Sequence, residues 1–256
     1  MALPAQLQSD LIEHTAVFAV ELVDPVTLQV VSREGIAVTA TFAQGGLWGK
    51  ALGRGSRFVW VLPSSPDSPV APVTPTSVTV VPAAGSGYAA FTYSAADIQA
   101  GTSANPDEWN LCRLYLRTLP AYLFPSGTTG VYGLLRKVPD VQGQPIQVLG
   151  GAQVWLQWQD ASQNPPVARA GLRCLSGPKG DFAASLVFPT KASRSYPAAA
   201  ANGDLTLTLY VAQLDPQAGW TQAHPDPNQP NPLGSVRAGQ VASLAAPIAW
   251  SNLIAG

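Results

Sequence analysis

Charge is what this chain has least of. Asp, Glu, Lys and Arg make up 11% of its 256 residues, against roughly 25% in an ordinary soluble domain. Lys and Arg number 14 and Asp and Glu 15, for a formal net charge of −1. A balance so close to zero gives no electrostatic footprint for nucleic acid or an anionic membrane surface. Only four residues are Lys, the side chain that strand edges commonly use to repel neighbouring strands. A β protein so poorly supplied either covers part of its surface in an assembly or is a monomer with a Ser/Thr/Gln-rich surface.

Other shortages narrow the chemistry. No stretch approaches the ~20 apolar residues of a membrane span. Met1 to Asp10 has neither a basic region nor an apolar run of signal-peptide length, so the expectation is cytoplasmic synthesis without membrane insertion. The only cysteines are Cys112 and Cys174 and the only histidines His14 and His224. Far apart in sequence, these four do not compose a zinc site, and the cysteines are expected to be buried thiols. The nucleophile elbow, the phosphate loop, the dinucleotide fingerprint and the zinc-protease helix motif are all absent. His224 near Asp226, and His14 near Asp10 and Glu13, lie in a proline-rich and a polar segment that would not hold a base in register with a nucleophile. Asp181, Asp204, Asp215 and Asp226 stand singly, without the Asp-x-Asp runs that gather calcium. No catalytic residue, no metal ligand and no cofactor is therefore expected, and the chain is not read as an enzyme.

Proline and glycine are plentiful, at 24 and 23 residues, which suits short strands joined by tight turns and disfavours long helices. Hydrophobic residues recur with period two. Phe18, Val20 and Leu22 alternate with Ala19, Glu21 and Val23, and Leu205, Leu207, Leu209 and Val211 alternate with Thr206, Thr208 and Tyr210. One pattern occurs twice. Gly35 to Phe42 is a glycine-led alternating strand, followed by Gly55 to Leu62 with its Phe58. Gly151 to Trp158 is a second such strand, followed by Gly180 to Val187 with its Phe182. A duplicated unit of this size predicts an all-β chain of two tandem antiparallel β-sandwich domains, Ig-like or transthyretin-like, with Pro-rich loops. The first spans 11–98 and the second 108–256. A helical turn is expected at Ala95 to Ile98, loops at Ser64 to Pro75, Asp160 to Leu175 and Thr190 to Gly203, and a proline-rich excursion at Pro216 to Pro232. Ser235 to Gly256 returns as a strand or lies as an arm on a neighbour. Ile36, Val38, Phe58, Trp60, Val154, Leu156, Trp158, Phe182, Leu207 and Leu209 are expected in the cores.

The second unit carries a family likeness. Thr129-Gly130-Val131-Tyr132-Gly133, Gly143-Gln144-Pro145-Ile146, Gly151-Ala152-Gln153-Val154 and Lys179-Gly180-Asp181-Phe182 together resemble the carboxypeptidase regulatory-like domains. The resemblance covers roughly Thr129 to Val211. It implies a prealbumin-like sandwich without catalytic residues of its own. Domains of this look also resemble accessory components of phage-tail-like contractile injection systems.

Function is expected on surfaces. If Val154, Leu156 and Trp158 face inward, Trp155 faces outward between Gln153 and Gln157. Arg113, Tyr115 and Arg117 form a similar outward stripe beside the inward Cys112, Leu114 and Leu116, and Trp48 sits in a glycine-bracketed loop. Trp, Tyr and Arg are the residues enriched at interface hot spots. These rows either meet other protein subunits, or a second copy, or are covered by the same chain. The first case makes the protein a structural or assembly subunit, part of a particle released to the extracellular space. The alternative is a carbohydrate- or surface-binding module that stacks a surface glycan on its exposed Trp side chains.

Overall fold

The computed structural model describes residues 13–32, 34–43, 52–54, 56–64, 73–102, 111–160, 164–186, 202–215 and 219–255. Trp48, the segment 1–10 and most of the expected loops 64–75 and 190–203 lie outside the described residues. Among the described residues the chain is all-β with one short α-helix. It divides into two compact units, one drawn from Met1–Asp24, Leu28–Ala83 and Ala90–Leu116, the other from Pro25–Thr27, Ala84–Ala89 and Arg117–Gly256.

The first unit contains β1 (Glu13–Val23), β2 (Ala37–Thr41), β3 (Leu52–Arg54), β4 (Arg57–Ser64), β5 (Ser77–Val81), β6 (Phe91–Ser94), α1 (Ala95–Gly101) and β7 (Leu111–Tyr115). One sheet has the order β3-β4-β1-β7 and the other β2-β5-β6. Phe18, Val20 and Leu22 are buried as the alternation requires, and a register shift between Ala16 and Phe18 lets Val17 turn inward as well. The expected helical turn at 95–98 opens α1. Ser94 caps it by accepting the Asp97 N–H at 3.4 Å, while Asp97 accepts the Ser94 N–H at 2.9 Å. Its one buried side chain is Ile98.

The second unit contains β8 (Thr129–Arg136), β9 (Gln153–Asp160), β10 (Val167–Ala170), β11 (Cys174–Leu175), β12 (Asp181–Leu186), β13 (Thr208–Asp215), β14 (Gly219–Pro225), β15 (Val241–Ser243), β16 (Ile248–Ala249) and β17 (Leu253–Ala255). A six-stranded sheet runs β10-β9-β13-β14-β17, with β11 also on β9, and a four-stranded sheet runs β12-β8-β15, with β16 also on β8. Val131 and Leu135 of β8, Val154, Leu156 and Trp158 of β9, Phe182 of β12 and Leu209 of β13 meet in one core, so both sheets contribute to it. Phe182 sits opposite Gly133 across the β8–β12 ladder. A side chain at Gly133 would strike the Phe182 ring; the glycine makes room for an aromatic cover.

The two units share one pairing plan. In each, the first strand pairs antiparallel with the strand that carries the Phe (β1 with β4, β8 with β12). On its other edge it pairs parallel with a late strand (β1 with β7, β8 with β15 and β16). The glycine-led strand lies in the opposite sheet, where it is followed by two antiparallel neighbours (β2-β5-β6, β9-β13-β14). The two halves of each repeated sequence pattern therefore occupy different sheets of their unit.

Several expected boundaries are corrected. The strand expected at Leu111 to Thr118 as the opening of the second unit ends at Tyr115 and is the edge strand of the first unit, because its partner is β1. The segment 160–175 is not one loop but holds β10 and β11, both on β9. Within the 216–232 excursion, Gly219–Pro225 is β14, which pairs with β13. The segment 235–256 returns as strands within its own chain, on β8 and β14. Of the residues expected in the cores, Val38, Phe58, Trp60, Val154, Leu156, Trp158, Phe182, Leu207 and Leu209 are buried. Ile36, just before β2, is half-buried.

Trp60 packs on Phe18 with ring centroids 5.7 Å apart. Replacing Trp60 or Trp158 by Ala leaves a large cavity and should cost about 3–5 kcal/mol. Denaturant unfolding checks this, and a wild-type midpoint in either variant would show that the ring is not a core side chain.

Cys112 and Cys174 are both buried free thiols. Desolvation pushes Cys112 from 9.0 up to about 11 and Cys174 up to about 12. The folded state therefore keeps protons that the unfolded state releases. This contribution to stability is complete below about pH 9.0 and is lost progressively as pH rises toward the folded values. Thiol titration at pH 8 should be slow on the native protein and fast in denaturant, and melting temperature should fall above pH 9 more steeply than in a Cys112→Ala/Cys174→Ala variant.

Candidate functional site

The outer face of the β4-β1-β7 sheet is organised by one carboxylate. Glu21, between the buried Val20 and Leu22 near the C-terminal end of β1, is 6% exposed. It faces Arg57 on β4 and Arg113 on β7 in direct cross-strand register. Its Oε1 accepts from Arg57 Nε at 2.8 Å and its Oε2 from Arg113 Nε at 3.1 Å. The two guanidiniums remain half exposed, with 51% and 45% of their side chains accessible. Tyr115 follows on β7 beside Val23 and is exposed. Its carbonyl accepts the Tyr93 hydroxyl at 2.7 Å, which ties down the backbone beneath it.

Arg113 and Tyr115 thus face outward as expected, and Arg117 does not. β7 ends at Tyr115, so the two-residue period stops there. Arg117 is 8% exposed; its carbonyl accepts the Ala89 N–H at 2.8 Å, and its charge lies close enough to Cys174 to act on the thiol. Glu21 was missing from the expected site. The only sequence signal was a lone Glu interrupting the apolar run 16–23, and its partners lie 36 and 92 residues away.

Trp155 requires a larger correction. It does turn away from the core formed by Val154, Leu156 and Trp158, but it is 2% exposed. The Arg173 guanidinium lies over its ring at 4.5 Å, held there by a 2.7 Å bond from Nη1 to Gln153 Oε1. Tyr210, directly opposite on β13, stacks with it at 5.6 Å and 25°. Tyr210 in turn meets His224 of β14 at 5.0 Å. The row Arg173–Trp155–Tyr210–His224 crosses this face of the second unit, so β9 is covered on both sides by its own chain. Trp155 offers no open ring to a ligand.

Two clefts flank the segment that follows β14. One of about 380 Å³ is lined by Thr206, Thr208, Tyr210, His224, Asp226 and Gln229 among others. One of about 400 Å³ is lined mainly by Pro225, Pro230, Pro232, Pro247, Ile248 and Leu253. Among the described residues there is no group of three or more metal-ligating side chains and no helix long and apolar enough to cross a membrane. No family model, curated protein or solved structure matches the chain.

The two aromatics that the sequence groups together should now separate in a stability assay. Trp155→Ser removes a buried ring and should cost about 3–5 kcal/mol. Tyr115→Ser alters an exposed side chain and should cost less than about 1 kcal/mol. Equal losses in thermal or denaturant unfolding would contradict this assignment.

Proposed function

We propose that the chain is a non-catalytic structural subunit that works by docking onto other protein subunits, and that its two units are tandem β-sandwiches of transthyretin-like type. The observation that carries the docking role is the outer face of the first unit's four-stranded sheet. Arg57 and Arg113 are tethered to the buried Glu21 beside the exposed Tyr115. Arginines already held in place lose less side-chain freedom on binding, and Arg and Tyr are the residue types that concentrate interface energy. The low charge content of the chain supports the same conclusion.

The pairing plan supports the sandwich type. In an immunoglobulin constant domain the first strand lies beside the second, in the order ABED. Here the first strand of each unit lies between the Phe-bearing strand and a late parallel strand, and the second strand is in the other sheet. That order favours the transthyretin-like alternative, as does the resemblance of Thr129 to Val211 to carboxypeptidase regulatory-like domains. The same resemblance points to phage-tail-like contractile injection systems as the class of assembly. A subunit of such a particle is made in the cytoplasm and leaves with the particle. Sugar stacking on Trp155 loses its support, since Arg173 and Tyr210 cover that ring.

Purification from native cells tests the proposal. The chain should co-elute with a particle far larger than its own 26.7 kDa. Tyr115→Ser should weaken that association tenfold or more while leaving the melting temperature nearly unchanged. Elution of the wild-type chain as a monomer without companions would defeat it.

A further inference from the structure

We propose that the cleft between the outer face of β13 and β14 and the proline-rich segment after them binds a neutral hexopyranose. The site lies in the second unit, goes beyond the docking role and does not depend on it. Thr206, Thr208 and Tyr210 line the cleft from one side, as successive outward positions of an extended strand. His224, Pro225, Asp226, Pro227 and Gln229 line it from the other. Its volume of about 380 Å³ is at the lower end of the ~300–1,000 Å³ of small-molecule pockets, a size for one or two sugar rings rather than a folded partner.

The lining has the two properties that a sugar ring requires. The first is aromatic carbon surface for ring C–H groups. Tyr210 and His224 are half-buried, so each keeps part of its surface toward solvent. Neither ring is loose: Tyr210 is wedged between Trp155 at 5.6 Å and His224 at 5.0 Å, and Arg173 closes the far side of Trp155 at 4.5 Å. The surface is therefore formed before any ligand arrives.

The second property is a set of uncommitted hydrogen-bonding groups. His224 Nδ1 lies 2.9 Å from the Pro225 carbonyl oxygen. A carbonyl only accepts, so Nδ1 is the donor in this contact and Nε2 remains for a ligand hydroxyl. Asp226 Oδ1 takes both the backbone and the side-chain N–H of Asn228, at 2.8 and 3.0 Å. This fixes the carboxylate while leaving Oδ2 for a hydroxyl. The hydroxyls of Thr206, Thr208 and Tyr210 can donate or accept, and the Gln229 amide adds two donors and an acceptor. Vicinal sugar hydroxyls both donate and accept, and match this mixture better than an apolar or purely ionic ligand does.

Charge chooses among sugars. The lining contains no Lys or Arg, and Asp226 is its single acidic side chain. A phosphate, sulfate or uronate would meet a carboxylate without a compensating cation. Neutral pyranosides are therefore favoured over acidic ones.

Saturation-transfer NMR on the full chain, with methyl glucopyranoside, methyl galactopyranoside and methyl mannopyranoside at millimolar concentration, tests this. At least one glycoside should receive saturation on its ring protons and shift the His224 ring signals. Thr208→Val, a near-isosteric change at an exposed strand position, should weaken binding several-fold in a folded protein. Tyr210→Ala should weaken it tenfold or more. Tyr115→Ser should bind as wild type even where it fails to assemble, which keeps this test separate from the docking role. Three outcomes would overturn the proposal: no transfer to any of the glycosides, transfer undiminished in both cleft variants, or equal binding of methyl glucuronide.

Discussion

The constraint from which both units are built is the double pairing of the first strand. β1 is held by β4 on one edge and β7 on the other, and β8 by β12 and by β15 with β16. A strand paired on both edges has its backbone donors and acceptors met by the ladder. Its inward side chains can then be fully desolvated, as Val20, Leu22 and Val131 are. The same register brings Glu21 opposite both Arg57 and Arg113 and Gly133 opposite Phe182. A one-residue slip would move the carboxylate to the core side and the ring to the surface.

The two units complete the outer faces of their sheets by different means. In the first, a buried carboxylate is shared by two guanidiniums whose side chains stay half exposed to water. A lone Glu at that depth would be costly, and the two arginines make it tolerable. In the second, the rings of Trp155 and Tyr210 and the Arg173 guanidinium form the cover. Arg173 acts through its flat face on Trp155 and through its hydrogen-bonding edge on Gln153. Lys would supply only the charge. The first face ends as a charged, hydroxyl-bearing surface and the second as a closed layer with a polar cleft at its margin.

Local pattern was legible in the sequence, and distant pairing was not. Alternation identified the inward faces of 18–22, 58–62, 154–158 and 205–211, because a strand's side-chain period depends only on neighbouring residues. The helical turn at Ala95 to Ile98 was equally local. Alternation also put Trp155 on the correct side of β9, but what covers that side comes from Arg173 and Tyr210, and no periodicity announces them. The strand read at Leu111 to Thr118 exists only as Leu111–Tyr115 and was assigned to the wrong unit, since proximity in sequence favoured the strands after it while its backbone pairs with β1. Arg117 continued an alternation that the chain had already abandoned. The cleft at Tyr210 and His224 depends on β14 returning beside β13 within a segment whose prolines read as a loop.

Parallel closure has a consequence for how the second unit comes into being. A parallel neighbour cannot follow by a tight hairpin, because the chain must first travel back across the sheet. The Gly239 N–H reaches the Thr129 hydroxyl at 2.7 Å across a separation of 110 residues, and β15 takes up its place on β8 immediately afterwards. Until then, one side of β8 presents unpaired donors and acceptors to anything that can supply a strand. Contacts of such span slow folding, so a nascent chain on the ribosome carries an open β edge through most of the synthesis of its second half. The interval is a time during which the strand of another molecule competes with the chain's own.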